Sequence, residues 1–372
     1  MDDLRVIISG GGTGGHIFPA ISIANAVKEA HPDAAILFVG AKGRMEMERV
    51  PQAGYDIEGL PVRGFFRPLY TYKNIGVLTD YMKSRLKVRK IIRDFRPSVA
   101  VGVGGYASGA TIDAAHSLGV PILIQEQNSY AGLTNRHLAG KAKRICVAYP
   151  NMERFFPANK IVETGNPVRT SLLQTALTRE GAVRSFGLDP TRKTILVIGG
   201  SLGARTINES ILGSLDQIRS SNAQFILQTG SAYIKSVSAK LSEVERLPNL
   251  VVMEFISDMG AAYRAADLVI SRAGAGTISE LSLLGKPCIL VPSPNVAEDH
   301  QTQNALALST RNAAILISDA DARSQLVGRS LESVSDDSLL ISLSAGIRKM
   351  ALPDAASMIL KQIEEIAKPY KS

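Results

Sequence analysis

The sequence lacks the features of membrane-spanning and nucleic-acid-binding proteins. Apolar residues make up 45% of the 372 residues, but no run approaches the roughly 18 uninterrupted apolar residues that a spanning helix requires. Aromatic residues make up only 5% and no RNA- or DNA-reading motif is present, so we expect no nucleic-acid partner. The acidic start MDDLRVIISG leads at once into a strand-like run, and we interpret it as leaving no room for a signal peptide.

Cysteine is also scarce in this chain. The two cysteines, Cys146 and Cys288, lie in apolar, strand-like runs. Such positions favour buried, reduced thiols over a disulfide or a metal site. The cysteine content therefore predicts a cytoplasmic protein.

Positive charge is in excess, and the excess is uneven. The net charge is +8, of which residues 1–165 contribute +7 (21 Lys and Arg against 14 Asp and Glu) and residues 166–372 contribute +1 (21 against 20). A chain of this length is expected to form two domains. A basic half beside a neutral half predicts an anionic partner for the first, and an anionic membrane surface is the favoured candidate.

A glycine-rich loop follows the first strand-like run. Residues 4–9 form a largely apolar run, residues 10–16 read GGGTGGH, and residues 19–30 have a helical pattern. This order of strand, glycine loop and helix is typical of phosphate-binding nucleotide folds. The dinucleotide fingerprint would require an acid after the second strand, but residues 35–39 are followed by GAK. A nicotinamide cofactor is therefore disfavoured.

His16 lies at the junction of this loop and the following helix. A histidine in that position can simply cap the helix or pack against the loop. It also titrates near neutral pH and would be exposed to a cleft, which suits a general base. The residues alone leave both roles open.

Two further strand-like runs lead into loops of similar character. Residues 99–103 precede GGYASG, and residues 121–124 precede QEQNSYAGLTN. Loops that follow parallel strands lie at the carboxyl edge of one sheet, so all three loops are predicted to line one crevice. Gly165-Asn166-Pro167 then ends the alternation and is interpreted as a linker between domains.

The second half of the chain repeats the pattern. An apolar run at residues 194–198 precedes GGSLGA and a helix from Arg205. Further strand-like runs occupy residues 224–228, 250–254, 268–270, 288–291 and 314–317. The predicted fold class is α/β, with two doubly wound Rossmann-like domains facing a cleft. The first domain would cover residues 1–165 and the second residues 166–350.

Residues 271–304, SRAGAGTISELSLLGKPCILVPSPNVAEDHQTQN, carry the strongest local signal. They predict a turn of small residues, a helix that opens at Thr277 and closes at Gly285, an apolar strand and a polar loop. The free N–H groups and the positive dipole end of such a helix predict an anionic ligand. Glu280 follows Thr277 at the spacing of a capping box, so closing the helix competes with ligand binding as its role.

Several segments together resemble one family. The segments are SRAGAGTISEL, GKPCILVPSP, DHQTQNA, GGTGGH, GVGGYASG, EQNSYAGLTN and GNPVR. They resemble the MurG family, the UDP-N-acetylglucosamine (UDP-GlcNAc) transferases that complete the lipid-linked peptidoglycan precursor. The resemblance implies the GT-B glycosyltransferase fold, with a terminal helix at about residues 351–368 that crosses back to the first domain.

The reaction that this resemblance implies is an inverting hexosyl transfer. N-acetylglucosamine would move from UDP-GlcNAc to the C4 hydroxyl of MurNAc in undecaprenyl-pyrophosphoryl-MurNAc-pentapeptide (lipid I), giving lipid II. The enzyme would be peripheral on the cytoplasmic side of the bacterial cytoplasmic membrane. His16 would be the catalytic base, and no cofactor would be obligatory beside the donor substrate.

The resemblance also assigns binding residues. The donor would be bound by Thr13, Gly14, Gly15, Asn128, Arg169, Ser201, Ile256, Ala275, Gly276, Thr277, Ile278, Ser279, Glu280 and Gln301. The acceptor side would include Gly104, Gly105 and Tyr106. From the residues alone, Asn128 could instead form an Asx-turn, and Arg169 could be a solvated side chain.

Asp319-Ala-Asp321 has the D-x-D form with which metal-dependent glycosyltransferases hold a divalent cation. It follows a strand-like run and precedes a helix, where aspartates commonly cap. It also lies outside the segments that carry the resemblance. We therefore interpret it as a helix cap and predict no metal site.

Residues 63–93 combine apolar side chains with nine basic residues and one acid, Asp80. This bias predicts binding to anionic lipid. The predicted membrane patch consists of Phe65, Phe66, Leu69, Tyr70, Ile75, Leu78, Lys83, Arg85, Lys87 and Lys90. A core-packing helix with a solvated basic face is the alternative.

Two other functions remain as alternatives. One is a GT-B transferase that uses another UDP- or TDP-sugar and a soluble acceptor. The other belongs to a different class, a nucleotide-binding oxidoreductase or a non-catalytic nucleotide sensor.

Overall fold

The computed structural model describes residues 4–12, 14–62, 64, 73–168, 172, 175–200, 202–296 and 299–370. Contacts divide the chain into two compact units, unit 1 (Met1–Val168 and Leu352–Ser372) and unit 2 (Arg169–Ala351). The predicted domain limits at residues 165 and 350 remain predictions. In the described ranges, no helix has both the length and the apolar character needed to cross a membrane.

The strands form two sheets in which every pair is parallel. Unit 1 contains β1 (Arg5–Ser9), β2 (Ala35–Ala41), β3 (Asp56–Leu60), β4 (Val99–Gly102), β5 (Ile122–Glu126), β6 (Arg144–Val147) and β7 (Ile161–Glu163). Unit 2 contains β8 (Thr194–Ile198), β9 (Gln224–Gln228), β10 (Leu250–Met253), β11 (Leu268–Ser271), β12 (Cys288–Leu290) and β13 (Ile315–Leu316).

The helices of the described residues connect these strands. They are α1 (Gly14–Ala30), α2 (Glu46–Gln52), α3 (Lys73–Phe95), α4 (Tyr106–Ser117), α5 (Leu133–Leu138), α6 (Arg179–Ser185), α7 (Arg205–Leu212), α8 (Leu215–Ser220), α9 (Ile234–Ser242), α10 (Met259–Ala265), α11 (Ala275–Leu284), α12 (His300–Ser309), α13 (Asp319–Ser335), α14 (Asp337–Arg348) and α15 (Ala355–Ile366). Short 3₁₀ turns lie at Met152–Arg154 and Ala158–Lys160.

Strand order places a switch point in each unit. The sheet of unit 1 runs β3-β2-β1-β4-β5-β6-β7, and that of unit 2 runs β10-β9-β8-β11-β12-β13. The chain order reverses between β1 and β4 and again between β8 and β11. In doubly wound sheets, ligands bind outside the carboxyl ends of the strands at such points. A ligand-binding site is therefore expected at the loops that follow these four strands.

The core of unit 1 joins both ends of the chain. Val6 of β1, Ile23 of α1, and Ile359 and Ile363 of α15 belong to one buried cluster. Because β1 is covered in this way and paired on both edges, its central residues 6–8 are all apolar and buried. The terminal helix α15 therefore packs with the strand that leads into the first glycine loop.

The core of unit 2 is built from its own strands and helices. Val197 of β8, Ile207 of α7 and Leu326 of α13 lie in one buried cluster. The arrangement of helices around a parallel sheet gives this unit the same doubly wound class as unit 1. The α/β prediction is thus confirmed in each unit taken by itself.

Both cysteines are buried free thiols, Cys146 in β6 and Cys288 in β12. Burial raises the pKa of each thiol to about 12. Neither thiol is therefore ionised near neutral pH, and the prediction of buried thiols is confirmed.

Candidate functional site

The loops after β1 and β4 touch at the switch point of unit 1. A Cβ on Gly105 would lie 2.6 Å from the Gly11 carbonyl oxygen, which is closer than real Cβ contacts come. Gly104 and Gly105 have φ values of +102° and +89°, a region that favours glycine. Both conditions require glycine, so the sequence GVGGYASG is explained by the close approach of the two loops.

His16 lies in the first turn of α1, between these loops. Its Nδ1 is 3.0 Å from the Gly11 carbonyl oxygen, and a Cβ on Gly104 would lie 2.9 Å from its Nε2. A carbonyl oxygen only accepts hydrogen bonds, so Nδ1 is assigned the proton and Nε2 carries the lone pair of the neutral ring. The half-buried imidazole thus presents its basic nitrogen on the side of the β4–α4 loop.

Glu46 was not predicted from the sequence. Its side chain is buried, with 1% of the residue exposed, and it accepts hydrogen bonds from the N–H of Gly12 and the N–H of Ala41 at 3.0 Å each. The dinucleotide fingerprint would require an acid at the end of β2, but the strand ends in Gly40-Ala41 and is followed by Lys42. Glu46 lies five residues after the end of β2, and it binds the glycine loop.

Tyr106 opens α4 and is 52% exposed. A Cβ on Gly64 would lie 2.9 Å from its hydroxyl oxygen, so residue 64 passes close to the tyrosine ring. The predicted acceptor residues Gly104, Gly105 and Tyr106 follow the carboxyl end of β4, which ends at Gly102. Gly14 and Gly15 lie in the first turn of α1, before His16.

The loop after β5 is organised around Glu126, which is 2% exposed. Its carboxylate accepts hydrogen bonds from the N–H and the side-chain amide of Asn128, from the N–H of Gly132 and from the side-chain amide of Asn135. Asn128 is therefore held by a carboxylate. Buried amides join the same loop to Asn166 of the Gly-Asn-Pro turn, where Gln125 donates to Asn166 at 2.9 Å.

The loops after β8 and β9 meet in unit 2. A Cβ on Gly203 would lie 1.9 Å from the Thr229 carbonyl oxygen, and one on Gly230 would lie 2.1 Å from the Gly203 nitrogen. Gln228 at the end of β9 donates to the Gly200 carbonyl at 3.2 Å and accepts from the Ile256 N–H at 2.9 Å. Ile256 is 1% exposed, so only its backbone could contact a ligand at this place.

Helix α11 begins earlier than predicted. Its first residue is Ala275 and its N-cap is Gly274, which makes no side-chain capping hydrogen bond. Thr277 is therefore inside the first turn, and the capping-box role of Glu280 is wrong because the capping residue lies elsewhere. The predicted end is confirmed, since Gly285 closes the helix with a φ of +63°.

Glu280 instead pairs with a buried tyrosine. The hydroxyl of Tyr263, which is 1% exposed, donates to Glu280 Oε2 at 2.9 Å. Ile278 is buried, and the Ser279 hydroxyl donates to the Ala275 carbonyl at 2.9 Å. Of the side chains in the middle of α11, Glu280 is the half-buried one that carries a charge.

The polar loop after β12 is fixed to the α11 turn. Gln301 Oε1 accepts from the Ser293 N–H at 2.9 Å, and Asn304, fully buried in α12, donates to the Ala273 carbonyl at 3.2 Å. Gln301 and the first turn of α11 are consequently brought to one end of the unit 2 sheet. The predicted residues Ala275, Gly276 and Thr277 form that first turn.

The aspartates of Asp319-Ala-Asp321 are already paired. Asp319 binds Arg272 at 2.5 Å and accepts from the Thr206 hydroxyl at 2.9 Å. The N-cap of α13 is Ser318, which accepts from the Asp321 N–H. The interpretation of these aspartates as the helix cap is wrong, because Ser318 is the cap and both aspartates lie in the first turn of α13. The described stretches contain no group of three or more His, Cys, Asp or Glu side chains placed to hold a metal ion.

Lys286 lies at the opposite end of the unit 2 sheet, where the strands begin. Its Nζ donates to the Ala266 carbonyl at 2.7 Å, just before β11 begins. Burial lowers the pKa of Lys286 to about 8, and Asp267 partly offsets that effect. Asp267 itself pairs with Arg179 at 2.6 Å. This cluster lies at the amino ends of the strands, away from the switch point, so we interpret it as structural.

Three predicted donor residues, Thr13, Arg169 and Ser201, lie outside the described residues. Their roles stay predictions. The remaining predicted residues gather at the carboxyl ends of the strands in their own units. His16, Gly104 and Tyr106 do so in unit 1, and Gln301 and the start of α11 in unit 2.

Comparisons with known families agree with this division. The glycosyltransferase family 28 N-terminal domain matches residues 6–147. The glycosyltransferase family 28 C-terminal domain matches residues 194–359. Together these matches cover more than half of the chain, and each contains one of the two switch points.

The chain is also similar over its full length to known transferases and to a solved structure. The UDP-N-acetylglucosamine--N-acetylmuramyl-(pentapeptide) pyrophosphoryl-undecaprenol N-acetylglucosamine transferase of Phocaeicola vulgatus is 60% identical over 370 residues, covering 100% of this chain and 98% of that relative. The transferase of the same name from Bacteroides fragilis is 61% identical over 367 residues, covering 98% and 96%. The crystal structure of MurG from Acinetobacter baumannii is 29% identical with a TM-score of 0.75, covering 97% and 99%.

Proposed function

The chain belongs to the MurG family of glycosyltransferases, and we propose that it transfers N-acetylglucosamine from UDP-GlcNAc to lipid I, giving lipid II for peptidoglycan synthesis. The observation that carries this proposal is 60% identity over the full length to a transferase named for that reaction. The glycine-lined loops at both switch points agree with it, because such loops let backbone N–H groups approach phosphates, and UDP-GlcNAc and lipid I both carry a pyrophosphate.

The proposed chemistry is an inverting displacement. His16 Nε2 removes the proton from the C4 hydroxyl of the MurNAc residue as its oxygen attacks the anomeric carbon of GlcNAc. The bond between that carbon and the UDP oxygen breaks, and UDP leaves with the electron pair. The Nδ1 contact with Gly11 supports this role because it leaves Nε2 as the basic nitrogen.

On the donor side, the leaving pyrophosphate requires positive charge. The first turn of α11 offers backbone N–H groups, which its N-cap residue Gly274 does not cap, together with the positive end of the helix dipole. The carboxylate of Asp319 is already engaged by Arg272 and Thr206. We therefore assign charge stabilisation to the helix and loop N–H groups, without an obligatory metal.

Purified protein is expected to release UDP only when UDP-GlcNAc and lipid I are both present, with lipid II formed mole for mole. A coupled UDP assay and chromatography of the lipid product measure both quantities. UDP-galactose with lipid I, and UDP-GlcNAc alone, are the matched controls. Turnover of a soluble acceptor without lipid I would favour the other transferase function, and bound absorbance near 340 nm would favour an oxidoreductase.

The exposed face of α3 supports a membrane-bound enzyme. The inward face carries Ser84, Val88 and Ile92, all buried. On the outward face, Met82 is 50% and Leu86 67% exposed. Apolar side chains that remain exposed beside basic ones are typical of helices that lie on a membrane surface.

The charges on this face are fewer than the sequence predicted. Lys83 and Lys90 are exposed, but Lys87 pairs with Glu58 at 2.8 Å and Arg85 is half-buried. We therefore keep Lys83 and Lys90 as the lipid-binding lysines and expect less from the other two. Phe65, Phe66, Leu69 and Tyr70, and the side chains of Ile75 and Leu78, lie outside the described residues.

Ionisable side chains attach the inward side of α3 to α4. Tyr81 donates to Asp113 at 2.5 Å, and Lys141 also pairs with Asp113. Burial works against ionisation of Asp113, but the hydrogen bonds from Lys141 and Tyr81 outweigh it and lower the pKa of that carboxyl. Burial raises the pKa of Tyr81 well above its usual range. The orientation of α3 is thus set by contacts separate from the proposed membrane face.

Changing Lys83 and Lys90 together to Glu is expected to release the protein from anionic vesicles. Each basic residue near anionic lipid contributes about 1 kcal/mol, so losing two weakens binding by roughly 30-fold and charge reversal weakens it further. Liposome co-sedimentation measures the effect, which should diminish with added salt. The control variant Lys235→Glu with Lys240→Glu makes the same charge change on the exposed face of α9. Equal sedimentation of both variants and wild type would reject this face as the membrane contact.

A further inference from the structure

A buried carboxylate lies one peptide group away from His16. Glu46 Oε2 accepts from the Gly12 N–H at 3.0 Å, and His16 Nδ1 donates to the Gly11 carbonyl at 3.0 Å. The Gly11 carbonyl and the Gly12 N–H belong to the same peptide group. Carboxylate, peptide and imidazole thus form one continuous chain of hydrogen bonds.

The ends of this chain carry charges of opposite sign during the proposed reaction. When Nε2 takes the acceptor proton, His16 becomes an imidazolium. A hydrogen bond from the Gly12 N–H to a carboxylate polarises the peptide and makes the Gly11 carbonyl a stronger acceptor, because linked hydrogen bonds strengthen one another at low dielectric. A stronger acceptor at Nδ1 favours the protonated ring.

We propose that Glu46 is a positioning residue that orients His16 and increases its basicity through the Gly11–Gly12 peptide. The inference rests on the proposed function, in which His16 is the base. The logic is that of a carboxylate behind a catalytic histidine, which fixes the tautomer and stabilises the imidazolium without itself being protonated. Here a peptide group is interposed between the carboxylate and the ring.

The surrounding glycines are required for this contact. A Cβ on Gly11 would lie 2.0 Å from Glu46 Oε1, and one on Gly40 would lie 2.6 Å from Glu46 Cγ. The second carboxylate oxygen is held by the Ala41 N–H at the end of β2. The carboxylate is therefore clamped between β2 and the glycine loop, and its direction is fixed by backbone on both sides.

Other ionisable groups nearby are exposed to solvent. The segments that adjoin the peptide carry Lys42, Arg44 and Glu48 around the start of α2, and Tyr106 at the start of α4, all exposed. Helix α15 packs along α1, but its Glu364 meets His31, roughly 22 Å along the helix from His16 at 1.5 Å per residue. Of the described ionisable side chains on these segments, Glu46 is the buried one, so solvent screens it least.

The test is Glu46→Gln, which removes the charge and keeps the size. NMR titration of the histidine ring protons, with His16 assigned by its loss in His16→Ala, should show a lower titration midpoint for His16. The acidic limb of kcat/KM against pH should move to lower pH by the same amount. Turnover should fall roughly 10- to 100-fold, as it does when carboxylates behind metal-bound histidines are removed. The Kd for UDP-GlcNAc should not change.

Two further variants separate positioning from a purely structural role. Glu48→Gln removes an exposed charge from the same helix and should leave midpoint, pH profile and turnover as in wild type. Glu46→Asp keeps the charge but shortens the side chain, so its His16 midpoint should lie between those of wild type and Glu46→Gln. If Glu46→Gln fails to fold, the wild-type and Glu46→Asp midpoints supply the comparison, and equal midpoints would overturn the inference.

The failure of this inference differs from the failure of the proposed function. An unmoved His16 midpoint in Glu46→Gln, with turnover lowered, would mean that Glu46 only shapes the loop, even if His16 is essential. Full turnover in His16→Ala would reject His16 as the base, whatever the titration shows. A lowered midpoint together with a shifted pH profile supports both.

Discussion

Replacing His16 with alanine is expected to lower turnover by roughly 10²–10⁴-fold, the usual contribution of a general base. UDP-GlcNAc affinity should change little, because the proposed donor contacts of α11 and Gln301 belong to unit 2, and the substitution leaves the predicted donor residues Gly14 and Gly15 in place. Steady-state rates at saturating lipid I and isothermal titration with UDP-GlcNAc measure the two quantities. A fall in turnover with unchanged Kd would place the effect on the chemical step.

Two matched variants make this result interpretable. His116→Ala removes an exposed imidazole from the last turn of α4 and should leave turnover unchanged. His16→Asn keeps a side-chain N–H that can reach the Gly11 carbonyl but has no basic nitrogen, so it should be as slow as His16→Ala. Near-normal turnover in His16→Asn would show that His16 shapes the loop and that the base lies elsewhere.

In unit 1 the sequence predicted the interior strands better than the edge strands, whereas in unit 2 both edge strands, β10 and β13, were predicted. Strands β4, β5 and β8 are buried throughout, and β1 is buried at every position except Arg5, so they read as largely apolar runs. Strand β3, with the sequence DIEGL, was not predicted and forms one edge of its sheet. The opposite edge, β7, was also missed and has no buried residue. Both edge strands of unit 1 carry exposed and charged residues, which removes the signal that an apolar run gives, whereas β10, with the sequence LVVM, keeps that signal at the edge of unit 2.

The parts of the site that could be predicted are those whose residues are close together in the sequence. A glycine loop between a strand and a helix is visible in the sequence, and so is His16 at its end. Glu46 was not visible, because it contacts Gly12 across 34 positions of chain. The pairing of Tyr263 with Glu280 spans 17 positions and was hidden in the same way. In both cases the hydrogen-bond donor to the carboxylate is distant in sequence, so the pair could not be predicted before the fold was known.

The second large effect is expected at Glu280, where substitution by Gln should weaken UDP-GlcNAc binding. A hydrogen bond to a charged group contributes about 1.5–3 kcal/mol, so losing the charge should raise Kd by roughly 10- to 150-fold. We expect Glu280 to contact the donor because its half-buried carboxylate lies on α11, and the start of this helix suits the pyrophosphate. Glutamine can still accept from the Tyr263 hydroxyl, so the melting temperature should stay close to that of wild type. Isothermal titration and thermal unfolding measure the two effects.

Tyr263→Phe is the matched control for Glu280→Gln, because it removes the hydroxyl that donates to Glu280 and leaves the carboxylate in place. It should lower thermal stability slightly, since the half-buried Glu280 carboxylate loses a hydrogen-bond donor, and should affect Kd much less than Glu280→Gln. Gln301→Ala should also weaken donor binding, because Gln301 fixes the Ser293 N–H beside the α11 turn. If instead Glu280→Gln lowered the melting temperature and left Kd unchanged, Glu280 would be a structural partner of Tyr263. UDP-GlcNAc would then have to be bound by other groups at the carboxyl ends of β8 and β11.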